Sequence, residues 1–160
     1  MNATQWAGTV AFGGAALICF WVRRQPWWAI GTVNFGLAFE CVIGVRHHIH
    51  NVAIGLMGPL YADRVGVQIA LIVMTLGILL SAARLLQYHA HLFASRPVTA
   101  ATGLALALFS IETISLHAVD AILYRPVAGL LVIGWIWITL GLVVATEALR
   151  AISRQGSLNS

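Results

Sequence analysis

Five long apolar segments alternate with short polar stretches along the chain. The segments run approximately from Gln5 to Val22, Trp27 to Gly44, Gly66 to Tyr88, Pro97 to Leu123 and Val127 to Ala148. A helix of roughly 20 apolar residues crosses the hydrocarbon core of a bilayer, which is about 30 Å thick, and the segments have about that length. None of them shows the alternating pattern of a membrane β-strand. The pattern predicts an all-α integral membrane protein folded as a bundle of five transmembrane helices.

The stretch between the second and third segments has a different character. Residues 52–64 stay mostly apolar but contain Gly55, Gly58 and Pro59, which break helices. We therefore expect a short interfacial loop segment that lies on the membrane surface and covers the residues beside it. Taken together, the pattern predicts one transmembrane helical domain over residues 1–150, followed by a polar cytoplasmic tail over residues 151–160.

The composition supports a membrane protein. Hydrophobic residues make up 60% of the 160 residues, charged residues make up only 9%, and the mean hydropathy is +0.89. Such a chain lacks the polar surface that a soluble domain of this size needs, so the lipid bilayer is its first expected partner. The net charge of +4 does not indicate nucleic acid binding, because the basic residues are spread over the segment ends and form no single patch.

The basic residues, all of them Arg, predict the orientation of the chain in the membrane. Six lie at segment ends on one side and three on the other: Arg23, Arg24, Arg84, Arg96, Arg150 and Arg154 against Arg46, Arg64 and Arg125. The positive-inside rule makes the side with six Arg cytoplasmic, which leaves the amino terminus outside and the carboxyl terminus in the cytoplasm. A chain with Arg but no Lys fits the coding bias of a GC-rich genome, so we expect a multi-pass protein of a bacterial inner membrane.

Two pairs of ionisable residues lie at matching depths in the second and fourth segments. Counted from the cytoplasmic ends of these segments, Glu40 and Glu112 lie 13 and 14 residues in, which is roughly 20 Å at 1.5 Å per residue. His47 and His117 lie 20 and 19 residues in, at roughly 30 Å. An ionisable group at such depth is costly without a partner or a polar cavity, so these residues are candidates for a functional site.

The helical spacing places these residues on shared faces. Glu40 and His47 are seven residues apart and nearly eclipse, with His50 about 60° away. On the fourth segment, Asp120 follows His117 by three residues and lies about 60° from it. If the second and fourth segments pack side by side, the two carboxylates and a layer of His and Asp meet between them.

Carboxylate and imidazole groups are ligands that iron, copper, zinc and manganese accept. The sequence therefore predicts a membrane metalloprotein that carries out redox, oxygen or hydrolytic chemistry on a lipid-soluble or periplasmic substrate. The expected metal ligands are Glu40, His47, His50, Glu112, His117 and Asp120. The spacing differs from the Glu-x-x-His pair of di-iron bundles, so it does not select one metal.

Three other hypotheses fit the same residues. His47 and His117, at equal depth, could be the axial ligands of a b-type haem that exchanges electrons with quinones. Without a cofactor, Glu40 and Glu112 could act as a catalytic acid and base or as a proton relay. The glutamates could also serve only to hold helices together by hydrogen bonds. The chain would then be a non-catalytic subunit or anchor of a larger complex. Under each of these hypotheses, its small extramembrane mass favours association with other membrane subunits or with further copies of itself in a homo-oligomer.

The remaining polar features are interpreted as structural. His89 and His91 are two residues apart and so point to opposite faces of a helix, which suits a solvated helix end. Cys19 and Cys41 lie inside apolar segments and are expected to be small buried residues. Glu147 and Arg150, three residues apart, are expected to form an ion pair on one helix.

Overall fold

The computed structural model describes residues 1–44, 95–114 and 117–156, together with ten helical positions between residues 48 and 77. Its helices are α1 Ala3–Trp21, α2 Gln25–Ile43, α3 Arg96–Ile114, α4 His117–Leu123 and α5 Val132–Gly156. The two short strands β1 Pro126–Val127 and β2 Leu130–Leu131 pair antiparallel. Most of the predicted third segment and of the stretch 52–64 lies outside the described residues, as do His47, His50, His89 and His91.

The described chain is mostly helical, and three helices are long and apolar enough to cross a membrane: α1, α3 and α5. The 19 residues of α1 rise about 28 Å, close to the thickness of the hydrocarbon core. Helix α2 also has 19 residues but is less apolar, since it carries Gln25, Asn34 and Glu40. The membrane character predicted from the sequence is therefore supported by three helices.

Helix α1 lies between α2 and α5 and packs extensively on both. At its start, the Thr4 hydroxyl accepts a hydrogen bond from the backbone N–H of Leu131, 3.1 Å away, next to the first turn of α5. At its end, the Gln155 side-chain amide donates to the carbonyl oxygen of Val22 at 3.3 Å. Helices α1 and α5 therefore run in the same direction, and the two ends of the described chain lie at opposite ends of the bundle.

Helices α2 and α3 run against α1. Trp27 and Val98, near the starts of these helices, pack with Val22 at the end of α1. Cys41 and Phe109, further along α2 and α3, pack in a separate cluster toward the start of α1. We call the end where α2 and α3 finish the acidic end, because it holds Glu40, Glu112 and Asp120. The opposite end is the arginine end, with Arg23, Arg24, Arg96, Arg150 and Arg154.

The predicted grouping of arginines is confirmed for the six that the structure describes, since five lie at the arginine end and Arg125 lies at the acidic end. The predicted ion pair between Glu147 and Arg150 is also present. Cys19 and Cys41 are free thiols and fully buried, as the sequence predicts.

The core at the acidic end is built around Trp137 of α5. Its ring stacks on Phe109 of α3, with ring centroids 5.2 Å apart and planes within 6° of parallel. Phe12 of α1 and Cys41 of α2 belong to the same cluster, and Gly8 leaves room for the edge of the indole. This one side chain therefore contacts or shares a cluster with residues from every long helix described.

The fifth predicted segment begins later than the sequence indicates. Residues 126–131 form a β-hairpin instead of the first helical turns, which corrects the purely helical prediction in this short region. Its two turn residues, Ala128 and Gly129, have φ angles of +49° and +84°. Positive φ angles at both positions are typical of the two-residue turns that join the strands of a β-hairpin. The Trp135 indole N–H donates to the carbonyl oxygen of Val127 and fixes the hairpin to α5. Helix α5 then continues to Gly156, beyond the predicted end at Ala148.

The fourth predicted segment is not one straight helix to Leu123. The Tyr124 hydroxyl lies 3.1 Å from the Glu112 carboxylate, although a straight helix would separate residues 12 apart by about 18 Å of rise. Helix α4 therefore does not continue along the axis of α3.

Candidate functional site

Glu112 is the most buried carboxylate among the described residues, with 5% of its surface exposed. It follows Val98 and Ala105 at seven-residue intervals, and both of these are buried apolar residues of the same helix face. A carboxylate thus lies on the face of α3 that otherwise packs apolar side chains against the bundle. Such a residue in an apolar bundle favours a functional site, because burial of an ionised group is costly unless it meets a charge, a proton or several hydrogen bonds.

Tyr124 is the clearest partner of this carboxylate. Tyr124 directly follows α4, and its hydroxyl donates a hydrogen bond to Glu112 Oε1 over a distance of 3.1 Å. The tyrosine is 36% exposed. The phenol therefore links a buried carboxylate to the surface of the acidic end. Sequence reasoning missed this partnership because it extended α3 straight through to Leu123.

Two further carboxylates lie at the same end. Glu40 is half-buried in the last turn of α2, where its backbone carbonyl accepts a hydrogen bond from Gly44 N–H at 2.7 Å. Asp120 is half-buried in α4, and its backbone carbonyl accepts from Tyr124 N–H at 2.9 Å, which holds the last turn of α4. The acidic end therefore gathers all the carboxylates that the sequence analysis assigned to the site.

The contact between the second and fourth segments, on which the predicted site depends, is present in the structure. Leu37, Ala38 and Cys41 of α2 share one core cluster with Ala105 and Phe109 of α3, and the two helices are in contact. The contact lies close to the carboxylates along both helices, since Glu40 is next to Cys41 and Glu112 follows Phe109 by three residues.

The histidines of the predicted site are placed only in part. His117 is the first residue of α4, one turn before Asp120, and its side chain lies outside the described residues. His47 and His50 lie outside them entirely, whereas His48 is an exposed helical residue. Within the described part of the chain, no three His, Cys, Asp or Glu side chains are grouped closely enough to hold a metal ion. This statement does not cover three of the six predicted ligands, because the side chains of His47, His50 and His117 lie outside the described residues.

Two buried polar side chains that the sequence analysis did not single out lie deeper in the bundle. Asn34 of α2 is 1% exposed, and its side-chain N–H donates to the carbonyl oxygen of Ile30 at 2.9 Å. Its Oδ1 and the hydroxyl of Thr102 in α3 are buried without a hydrogen-bond partner in the part of the chain that the structure describes. Buried oxygens of this kind are commonly met by ordered water. Their core positions, seven residues after Trp27 and four after Val98, were the signal that could have identified them.

No protein-family model matches this chain, and neither a curated protein nor a solved structure is significantly similar to it.

Proposed function

We propose that the chain crosses the bilayer five times. Helix α2 packs antiparallel along α1 and has the same length, so it spans the same thickness despite its polar residues. Because α2 and α3 run in the same direction, Gly44 lies at the acidic end and Ser95 at the arginine end. A chain that leaves one end and re-enters at the other needs one further span between them. The described helical residues Ile69, Val73 and Met74 in this range are exposed and apolar, as a lipid-facing helix requires.

The arginine end faces the cytoplasm in this proposal, because five of the six described arginines lie there. A cysteine in place of Ala128, exposed in the hairpin turn, is expected to react with a membrane-impermeant maleimide applied to intact cells. A cysteine in place of Ser153, exposed at the other end, is expected to react only after the cells are opened. The reverse labelling pattern would invert the orientation and place the acidic end in the cytoplasm.

We propose that the acidic end is a transition metal site in a small membrane metalloprotein. The burial of Glu112 at a core position of α3 is the observation that carries this proposal. A metal ion supplies the positive charge that makes a buried carboxylate favourable, and either Glu40 or Asp120 at the same end would supply a second carboxylate ligand. His47, His50 and His117 would complete the ligand set from the segments that lead into and out of this end.

Tyr124 would serve this site as a positioning residue. Its hydrogen bond fixes one carboxylate oxygen of Glu112, and outer hydrogen bonds of this kind orient metal ligands. The site lies at the end of the bundle, where α2 and α3 reach the membrane surface, so a substrate could arrive from the lipid or from the aqueous side. Redox, oxygen or hydrolytic chemistry on a lipid-soluble substrate fits this position, with a second copy or another membrane subunit as a partner.

The metal content of the purified full-length protein and its optical spectrum test this proposal. We expect stoichiometric iron, copper, zinc or manganese and no Soret band. The Glu112→Gln variant is expected to lose most of the metal, and Tyr124→Phe is expected to weaken metal affinity by roughly 10- to 100-fold, since it removes only the outer hydrogen bond. Glu147→Gln is the matched control, because Glu147 pairs with Arg150 at the opposite end.

Other outcomes would overturn the metal site in distinguishable ways. A Soret band that the Glu112→Gln variant retains would assign His47 and His117 to a b-type haem. A folded protein without metal or haem would leave Glu40 and Glu112 as an acid and base, a role that the hydrogen bond from Tyr124 to Glu112 also favours. Metal loss in Glu147→Gln as large as in Glu112→Gln would show that the metal binds elsewhere.

A further inference from the structure

The turn between α1 and α2 borders an open cavity at the arginine end. The cavity has a volume of about 580 Å³ and is lined by Arg23, Gln25 and Trp28. This volume is within the range of small-molecule sites, roughly 300–1,000 Å³. It lies at the opposite end of the bundle from Glu112, so it is separate from the proposed metal site.

The charge of this turn is positive, and no acidic side chain among the described residues is paired with it. Arg23 and Arg24 are exposed, and among the described residues neither forms a hydrogen bond or an ion pair with a carboxylate. The hydrogen bond from Gln155 to Val22 brings the last turn of α5, which carries Arg154, to the same turn. The adjoining first turn of α2 has no side-chain cap, and helix N-termini add positive potential. An anion is the ligand that this chemistry favours.

Arg23 occupies a backbone conformation that suits glycine better. Its φ angle is +54°, just after the end of α1, where helices commonly place a left-handed glycine. An arginine at this position lowers the stability of the turn and gains no hydrogen bond from its side chain within the described structure. A side chain kept at a strained position indicates a role outside folding.

Two tryptophans place this cavity at the level of the lipid headgroups. Trp28 lines the cavity and is 55% exposed, and Trp21, in the last turn of α1, is 76% exposed. Exposed indole rings at both sides of the turn favour the boundary between headgroups and hydrocarbon. The anion that resides at this boundary is the phosphate of a phospholipid, which offers acyl chains to the indole rings as well as charge to the arginines.

We propose that the cavity beside the α1–α2 turn binds the phosphate of an anionic phospholipid, with Arg23 as its charged contact in the cavity, the neighbouring Arg24 as a second positive charge at the same turn, and Trp28 against the adjoining lipid. This proposal rests on insertion of the chain in a bilayer and is independent of whether the acidic end binds a metal. Each arginine that acts on the bound headgroup phosphate is expected to contribute about a fivefold increase in lipid affinity.

The test measures the binding of phosphatidylglycerol to the full-length protein held in phosphatidylcholine nanodiscs. The Arg23→Gly variant is expected to bind phosphatidylglycerol about fivefold more weakly, and the Arg23→Gly/Arg24→Gln double variant roughly 25-fold more weakly. At the same time, Arg23→Gly is expected to raise the melting temperature in pure phosphatidylcholine, because glycine relieves the positive φ angle. Weaker binding by a more stable protein cannot be a folding defect.

Arg125→Gln is the matched control, since Arg125 is an exposed arginine at the acidic end. It is expected to leave phosphatidylglycerol binding unchanged, and equal loss in this variant would show a general surface charge effect and overturn the site. Unchanged binding in Arg23→Gly would overturn it as well. Competition by millimolar inorganic phosphate as effective as that by phosphatidylglycerol would make the ligand a free anion and overturn the assignment to a lipid.

Discussion

Replacement of Trp137 by Ala is expected to lower the free energy of unfolding by about 3–5 kcal/mol. The indole is 1% exposed and stacks on Phe109. Its loss leaves a cavity at the point where α1, α2, α3 and α5 meet, because Phe12 and Cys41 belong to the same cluster. The edge of the ring fits against Gly8 so closely that a Cβ added there would be 2.6 Å from it.

The unfolding of detergent-solubilised protein by a denaturing detergent measures this loss. Trp21→Ala is the matched control, because Trp21 is 76% exposed near the end of α1 and the same atoms are removed from a surface position. We expect the control to cost less than about 1 kcal/mol. Equal losses of unfolding free energy in the two variants would mean that Trp137 stabilises the protein no more than an exposed tryptophan does. The prediction that the core depends on Trp137 would then be wrong.

The apolar character of the three helices that are long enough to cross a membrane was predictable from the sequence, because it depends on an average over many residues. A helix that faces lipid must be apolar over its whole length, and arginines at its ends are excluded from the hydrocarbon. Depth along a helix also follows from counting residues, which is why Glu40 and Glu112 were predicted to share a level. In the structure both residues lie toward the last turns of α2 and α3. The sequence could not show that α1 is the central helix, since its apolar pattern does not record which neighbours it packs against.

The break after α3 was not predictable by the same means. Hydropathy over residues 97–123 predicts a single segment, whereas the hydrogen bond from the Tyr124 hydroxyl to the Glu112 carboxylate shows that α4 leaves the axis of α3. The predicted site was therefore incomplete, because Tyr124 was placed a long way from Glu112. The hairpin at residues 126–131 was hidden for the same reason: its apolar residues Val127, Leu130 and Leu131 continue the hydropathy of the helix that follows.

Replacement of Gly141 by Val is expected to lower the free energy of unfolding by about 3 kcal/mol. A Cβ at this position would lie 2.9 Å from the carbonyl carbon, the carbonyl oxygen and the Cβ of Ala11. Two of these three atoms belong to the backbone of α1, so no rotation of a side chain relieves the clash. Helices α1 and α5 would have to separate along the interface that also holds Gly8 against Trp137.

The same denaturation experiment tests this prediction, with Gly36→Val as the control. Gly36 is an exposed helical glycine of α2 with no atom within 4 Å of an added Cβ, so its replacement should cost less than about 0.5 kcal/mol. Combining Gly141→Ala with Ala11→Gly should recover only part of the loss caused by Gly141→Ala alone. The second change removes the Cβ of Ala11 and leaves its carbonyl group in place, so full recovery would mean that α1 moves away at little cost and that the close approach of the two backbones does not stabilise the bundle.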